Sequence, residues 1–143
     1  MPRKKSSPPP EAAAAWRLMF EVLMSSGHRR TASLVRRGLT PNDARALWTL
    51  DVDDGRPIGD LAREWGCDPS NATFIVGRLE KSGFARRASH ADDKRVKLVF
   101  LTKSGAAVRD ELRDEYHEPP DEIRALTRKD LATLARILAK VGK

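Results

Sequence analysis

The side chains best suited to do chemistry fall in two stretches. Between Ser70 and Lys81, small polar residues and one phenylalanine alternate with an apolar set at helical spacing. In His90–Arg95, two acids and two bases (Asp92, Asp93, Lys94, Arg95) share a turn-forming segment that runs into the alternating apolar stretch Val96–Leu101. Neither stretch pairs a nucleophile with a base. The chain has no nucleophile elbow, no glycine-rich phosphate loop and no His/Cys cluster at zinc spacing, and its three histidines, His28, His90 and His117, are scattered. No catalytic residue, metal or cofactor is therefore expected, and the protein is not expected to be an enzyme. What these residues offer is recognition. Hydroxyls, an amide and a ring can meet base edges, and cations can meet phosphates.

Charge points the same way. Net charge is +7 over 143 residues, and the pI is about 10.0, a balance that suits a polyanionic partner. The positive charge is concentrated in the middle. Seven Lys/Arg (78, 81, 86, 87, 94, 95, 97) face three acids between Arg78 and Lys97, whereas Asp110–Glu122 holds seven acids and one base. A polyanion would meet the middle. The length suits one domain. No apolar run is long enough to span a membrane, and MPRKKSSPPP lacks the apolar core of a signal peptide. A single cysteine, Cys67, excludes an intrachain disulfide and favours a reducing cytoplasm.

The elements that must position these residues follow from caps and periodicity. Residues 1–10 are expected to be a disordered basic tail, either merely solvated or grazing a phosphate backbone. From about Ala12 to Gly38, Trp16, Met19, Phe20, Leu23 and Met24 recur at helical spacing, and Gly27 weakens the middle. Thr40-Pro41-Asn42-Asp43 supplies a cap, an N1 proline and an acid at the third position of a helix that stops at Asp53-Asp54-Gly55. Pro57-Ile58 reads as a short extended link. A short helix, LAREW, closes at Gly66. Asp68 and Pro69 then start a second helix, which ends at Gly83. Phe84–Ser89 and Val96–Leu101 read as strands joined by His90–Arg95. A helix-turn-helix followed at once by a hairpin is a winged helix-turn-helix. Thr102 caps a further helix carrying Val108, Leu112 and Tyr116, which Pro119-Pro120 interrupts. Thr127-x-x-Asp130 starts the last helix, with Leu131, Leu134, Leu138 and Val141 in one stripe. That stripe serves either the chain's own core or a dimer interface. The fold class is thus mainly α with a small β-wing: a single domain over 11–143, with the winged helix-turn-helix at about 40–104 and dimerisation helices at 11–38 and 105–143.

At 100° per residue, Ala72, Ile75, Val76 and Leu79 share one face of the second helix, the core face. Ser70, Thr73, Phe74, Gly77 and Lys81 lie opposite, with Asn71 and Arg78 at an edge. The outward face suits a major groove. Phe74 either touches a base or packs on the wing. Arg78 either meets phosphate or makes an internal salt bridge.

Three stretches together resemble the MarR family of transcriptional regulators, the multiple-antibiotic-resistance type: LTPNDARALWTLD (39–51), SNATFIVGRLEKSGF (70–84) and DDKRVKLVFLTKSG (92–105). The third carries an Asp-x-Arg, an alternating strand and Leu-Thr-x-x-Gly. The resemblance covers roughly residues 12–141. It implies a homodimer held by the terminal helices, including Leu131, Leu134, Leu138 and Val141, with each subunit presenting one winged helix-turn-helix to double-stranded DNA. It places the recognition helix in the major groove and Arg95 in the minor groove, with Asp93, or alternatively Asp92, orienting the wing's basic side chains. The expected DNA-binding set is Ser70, Asn71, Thr73, Phe74, Arg78, Lys81, Arg86, Arg87, Lys94 and Arg95. Two residues depart from the family pattern. Phe74 stands where many members have Arg, and Gly77 stands where many have Asp, a change expected to free Arg78 from an internal pair.

The implied function is a sequence-specific, ligand-responsive repressor acting on a pseudo-palindromic operator. A small aromatic effector would be met by Trp16, Phe20, His28 and Trp48, residues whose types also suit an ordinary core. Cys67 precedes a helix start, which can lower a thiol's pKa, but no second cysteine is present to resolve an oxidised one, and a structural turn role is favoured. The competing function is a winged-helix module that binds protein partners through the acidic 110–122 segment, without specific DNA binding.

Overall fold

The computed structural model describes residues 7–141. In chain order its elements are α1 (Pro10–Ser25), α2 (Gly27–Arg36), α3 (Pro41–Thr49), β1 (Arg56–Pro57), α4 (Ile58–Trp65), α5 (Pro69–Lys81), β2 (Ala85–Ser89), β3 (Lys97–Leu101), α6 (Lys103–His117), α7 (Asp121–Arg124) and α8 (Arg128–Val141). This is the mainly helical winged helix-turn-helix read from the sequence. Residues 1–6 of the expected tail lie outside the described residues. Ser7–Pro9 carry no helix or strand, and α1 already begins at Pro10.

The helix starts are where the caps place them. The Thr40 hydroxyl accepts from the Asp43 amide, and the Asp43 carboxylate accepts from the Thr40 amide, a complete capping box on α3. The Asp68 carboxylate accepts from the Asn71 amide at 2.9 Å and opens α5. Gly66 ends α4 in the left-handed region at φ 65°, which glycine enters without a Cβ penalty.

The helical stretch over 12–38, weakened at Gly27, is two helices. Ser25 and Ser26 each turn their hydroxyl back onto a carbonyl three residues earlier, Val22 and Leu23. Such back-bonding competes with the helical ladder. With Gly27 next, the chain breaks at Ser26.

The three strands form one antiparallel sheet in the order β1-β3-β2. The extended link expected at Pro57-Ile58 lies one residue earlier: Arg56-Pro57 is the third strand, pairing with Val99 and Leu98, and Ile58 already begins α4. Two residues are too few to show alternation, so the extended backbone was legible in the sequence and its pairing with β3 was not. The sheet lays Ala85, Val99 and Leu101 against Leu47, Leu61, Val76, Leu79 and Leu112, all buried. Each buried leucine contributes about 2 kcal/mol, so the core lies under α3, α4, α5, α6 and the sheet. None of the described residues of α1 or α8 is buried.

Leu101-Thr102-x-x-Gly105 joins wing to core. The Thr102 amide donates to the Phe84 carbonyl at 3.0 Å, its hydroxyl donates to the Gly83 carbonyl at 2.6 Å, and the same oxygen accepts from the Gly105 amide at 3.0 Å. A Cβ on Gly105 would stand 2.1 Å from the Phe84 carbonyl oxygen. Only glycine lets α6 approach the wing this closely.

Candidate nucleic-acid interface

Ala72, Ile75, Val76 and Leu79 of α5 are buried, while Ser70, Asn71, Thr73, Phe74 and Lys81 are exposed. Phe74 is 65% exposed, so it is not packed on the wing. At the start of the helix, the Ser70 hydroxyl and the Asn71 amide hold the Asp68 carboxyl below the usual carboxylate range.

Arg78 does not belong to this outward set. Its guanidinium donates to both carboxylate oxygens of Asp43, at 2.8 and 3.2 Å. The absence of an acid at position 77 had suggested a freed arginine, but the acid comes from α3 instead. Burial works against the charge on Asp43. The bonds from Arg78 and Thr40 outweigh it and hold the carboxyl below its ordinary value.

The wing tip is closed by hydrogen bonds from the His90 amide to the Val96 carbonyl and from the Val96 amide to the Asp93 carbonyl. Asp93 Oδ1 accepts from both the amide and Nε of Arg95, at 3.0 and 3.2 Å. Asp93, and not Asp92, thus braces an arginine whose side chain is 92% exposed. Lys94 beside it is exposed.

Adjacent residues of a strand face opposite sides, and this separates Arg86 from Arg87. Arg87 reaches the Thr73 carbonyl of α5 at 3.2 Å and Glu80 at 3.5 Å. Arg86 lies 4.2 Å over the Phe100 ring on the other face, away from α5. Lys97, absent from the expected set, stands on the Arg87 side and donates to Ser89 Oγ at 2.7 Å. Its signal was available, since it alternates in phase with Val99 and Leu101. Thr73, Arg87, Arg95 and Lys97 line one open groove of about 390 Å³, with Pro57–Gly59 at the start of α4 on its other side. Three cations therefore border the groove between α5 and the wing, side chains of the type that meet phosphates.

The four expected effector residues do not share one site. Trp16 and Phe20 line an apolar groove of about 550 Å³ with Tyr116, Leu134 and Leu138, and Arg30 at its edge. Trp48 meets Tyr116 edge-on, ring centroids 5.8 Å apart. His28 is outside this groove. Its Nδ1 bonds the Ser25 carbonyl at 2.7 Å, and it lines polar hollows with Arg29 and Glu118. Of the expected dimer stripe, Leu131 and Leu134 are half-buried, whereas Leu138 and Val141 are exposed. Cys67 is half-buried against the core. Among the described residues, no group of three His, Cys, Asp or Glu converges as metal ligands do, and no helix is long and apolar enough to cross a membrane.

A capped helix pair, an exposed polar recognition face and a braced basic wing define a winged helix-turn-helix protein. Residues 39–97, from the start of α3 to the wing, match the model of the MarR family. A regulator of the helix-turn-helix type from Bacillus subtilis, YfiV, is 28% identical over 102 residues. The match covers 71% of this chain and 64% of the relative, so it spans under two thirds of that relative's length. The multiple antibiotic-resistance repressor of Listeria monocytogenes superposes with a TM-score of 0.79 at 17% identity, covering 92% of each chain. The S. aureus MepR–DNA complex gives a TM-score of 0.66 at 20% identity, over 87% of this chain and 98% of that one. Both solved structures share the fold.

Proposed function

We propose that this protein is a homodimeric, sequence-specific DNA-binding regulator of transcription, and that it acts as a cytoplasmic, ligand-responsive repressor. One observation carries the reading. The exposed polar face of α5 and the cations Arg87, Arg95 and Lys97 border the same groove. In this reading Ser70, Asn71, Thr73 and Phe74 meet base edges, Lys81, Arg87, Lys94 and Lys97 meet phosphates, and Arg95, aimed by Asp93, enters the minor groove, where negative potential is enhanced. Arg78 serves by holding α5 on α3. Arg86, on the far face, is the weakest member of the set. MepR, a protein of the same fold, is known in complex with DNA. The terminal helices (11–38 and 105–143) would form the dimer and residues 40–104 the DNA-binding lobe. A small apolar effector would enter the groove at Trp16, Phe20 and Tyr116.

The acidic 110–122 segment gives little support to the protein-partner alternative. Four of its seven acids are engaged within the chain: Asp110 with Arg109 and Arg113, Glu111 and Glu115 with Arg37, Glu115 also with Arg36, and Glu118 with Arg29 and Arg124. Binding of the full chain to a random duplex pool at several salt concentrations tests the proposal. Affinity should fall by about 0.9 log units per phosphate contacted for each log unit of salt. A flat salt dependence would overturn it.

A further inference from the structure

We infer that α5 reads a thymine by its C5 methyl group, with Phe74 as the specificity-determining residue and Gly77 as the opening that admits the base edge. This rests on the DNA-binding reading above and names the chemistry of its central contact.

The centre of the outward face of α5 carries no free guanidinium. Arg78, the one arginine in the helix, is turned onto Asp43, and Arg87 from the wing is turned onto the Thr73 carbonyl and Glu80. A bidentate Arg contact to guanine O6 and N7, the commonest specific contact, is therefore not available there. What stands there is a phenyl ring, 65% exposed, among Ser70, Asn71 and Thr73. The major groove offers one apolar feature on its base edges, the methyl of thymine. Cations on the same side, Lys81, Arg87, Arg95 and Lys97, supply the charge complementarity that brings duplex DNA, rather than an apolar protein surface, against the ring.

Gly77 supports the same contact. Helical side chains lean toward the helix N-terminus, so a side chain at 77 would cover the surface beside residues 73 and 74. A Cβ built on Gly77 has nothing within 4 Å. The fold therefore gains nothing from glycine here and loses helix propensity by it. The empty volume beside Phe74 is where a base edge would sit.

The test uses the full chain and the best duplex selected from random DNA. Each thymine is replaced in turn by deoxyuridine, which removes only the methyl. One position per half-site should weaken binding by about fourfold, the value of one buried carbon group. Phe74→Ala should bind the thymine duplex more weakly and be indifferent to uridine at that position. Gly77→Ala should melt no lower than wild type and yet bind several-fold more weakly. Salt-dependent binding that is indifferent to uridine at every position would overturn the methyl contact and leave the DNA-binding reading intact. A uridine penalty that persists in Phe74→Ala would also overturn it. A chain that binds no duplex would overturn both.

Discussion

The guanidinium of Arg78 on the recognition helix holds the carboxylate of Asp43, at the start of α3, by two hydrogen bonds of 2.8 and 3.2 Å. Asp43 is 1% exposed and also accepts from the Thr40 amide at 2.8 Å. One carboxylate therefore caps one helix and fixes the position of another. Any tilt of α5 that displaced Ser70, Asn71, Thr73 and Phe74 would first have to break this pair.

The pair should make stability depend on acid. The folded Asp43 carboxyl titrates below its ordinary value of 3.8, so the folded state binds fewer protons there than the unfolded chain. Its contribution is present in full above that value and is lost as pH falls through the lowered one. Asp43→Asn should cost about 2 kcal/mol at pH 7, since Arg78 keeps access to water and only part of a buried-pair penalty applies. The difference from wild type should shrink below pH 3.8. Urea unfolding at pH 7 and pH 3 decides the matter, and an equal gap at both would sink the idea.

The glycine of Leu-Thr-x-x-Gly should be irreplaceable for a steric reason. Gly105→Ala sets a methyl 2.1 Å from the Phe84 carbonyl oxygen and 2.8 Å from a Leu101 methyl. The clash is with backbone, which cannot rotate away. A loss of about 2 kcal/mol is expected, with the damage concentrated where α6 meets the wing. Thermal unfolding reads the first, and amide exchange at Phe84 and Thr102 reads the second. An unchanged melting temperature would show that the close approach is not needed.

Much of this fold was legible because its signals are local. Thr40, Asp68 and Thr102 cap helices within three residues of themselves, and the apolar face of α5 repeats at a fixed period. The wing could be read from Asp93 to Gly105 for the same reason. The Asp43–Arg78 pair could not, because its partners are 35 residues apart and only packing brings them together. Gly77 pointed the wrong way there, by suggesting that Arg78 was free. The separation of Arg86 from Arg87 was readable in principle, since a strand alternates, but which arginine faces α5 depends on register with β3.

Arg95 and Asp93 should fail in different ways. On the proposed DNA-binding reading, Arg95→Ala removes a charge from the minor groove, so it should weaken operator binding and reduce the salt slope by about 1. Asp93→Ala keeps the Arg95 charge and loses the brace at Nε and the amide, together with one negative charge beside it. It should weaken operator binding less than Arg95→Ala and leave the salt slope nearly unchanged. Affinities measured across a salt series separate the two. Equal slopes for both variants would remove Arg95 from the set of groups that displace counterions.

The terminal helices carry apolar side chains that the described residues leave largely uncovered. Trp16 is 67% exposed and Leu138 is 40% exposed, and no described residue of α1 or α8 is buried. An isolated helix of 14 residues is marginal in water, so α8 should be helical only when its apolar stripe is packed. A second copy presents the same stripe and can close a two-fold interface. Wild-type unfolding should therefore shift to higher temperature as protein concentration rises. Leu138→Glu should sediment as a monomer, with helix content reduced by the loss of α8 and the α3–α5 lobe still folded. A wild-type midpoint independent of concentration, together with a monomeric mass, would remove the dimer. The apolar groove at Trp16, Phe20 and Tyr116 would then be a surface of the single chain.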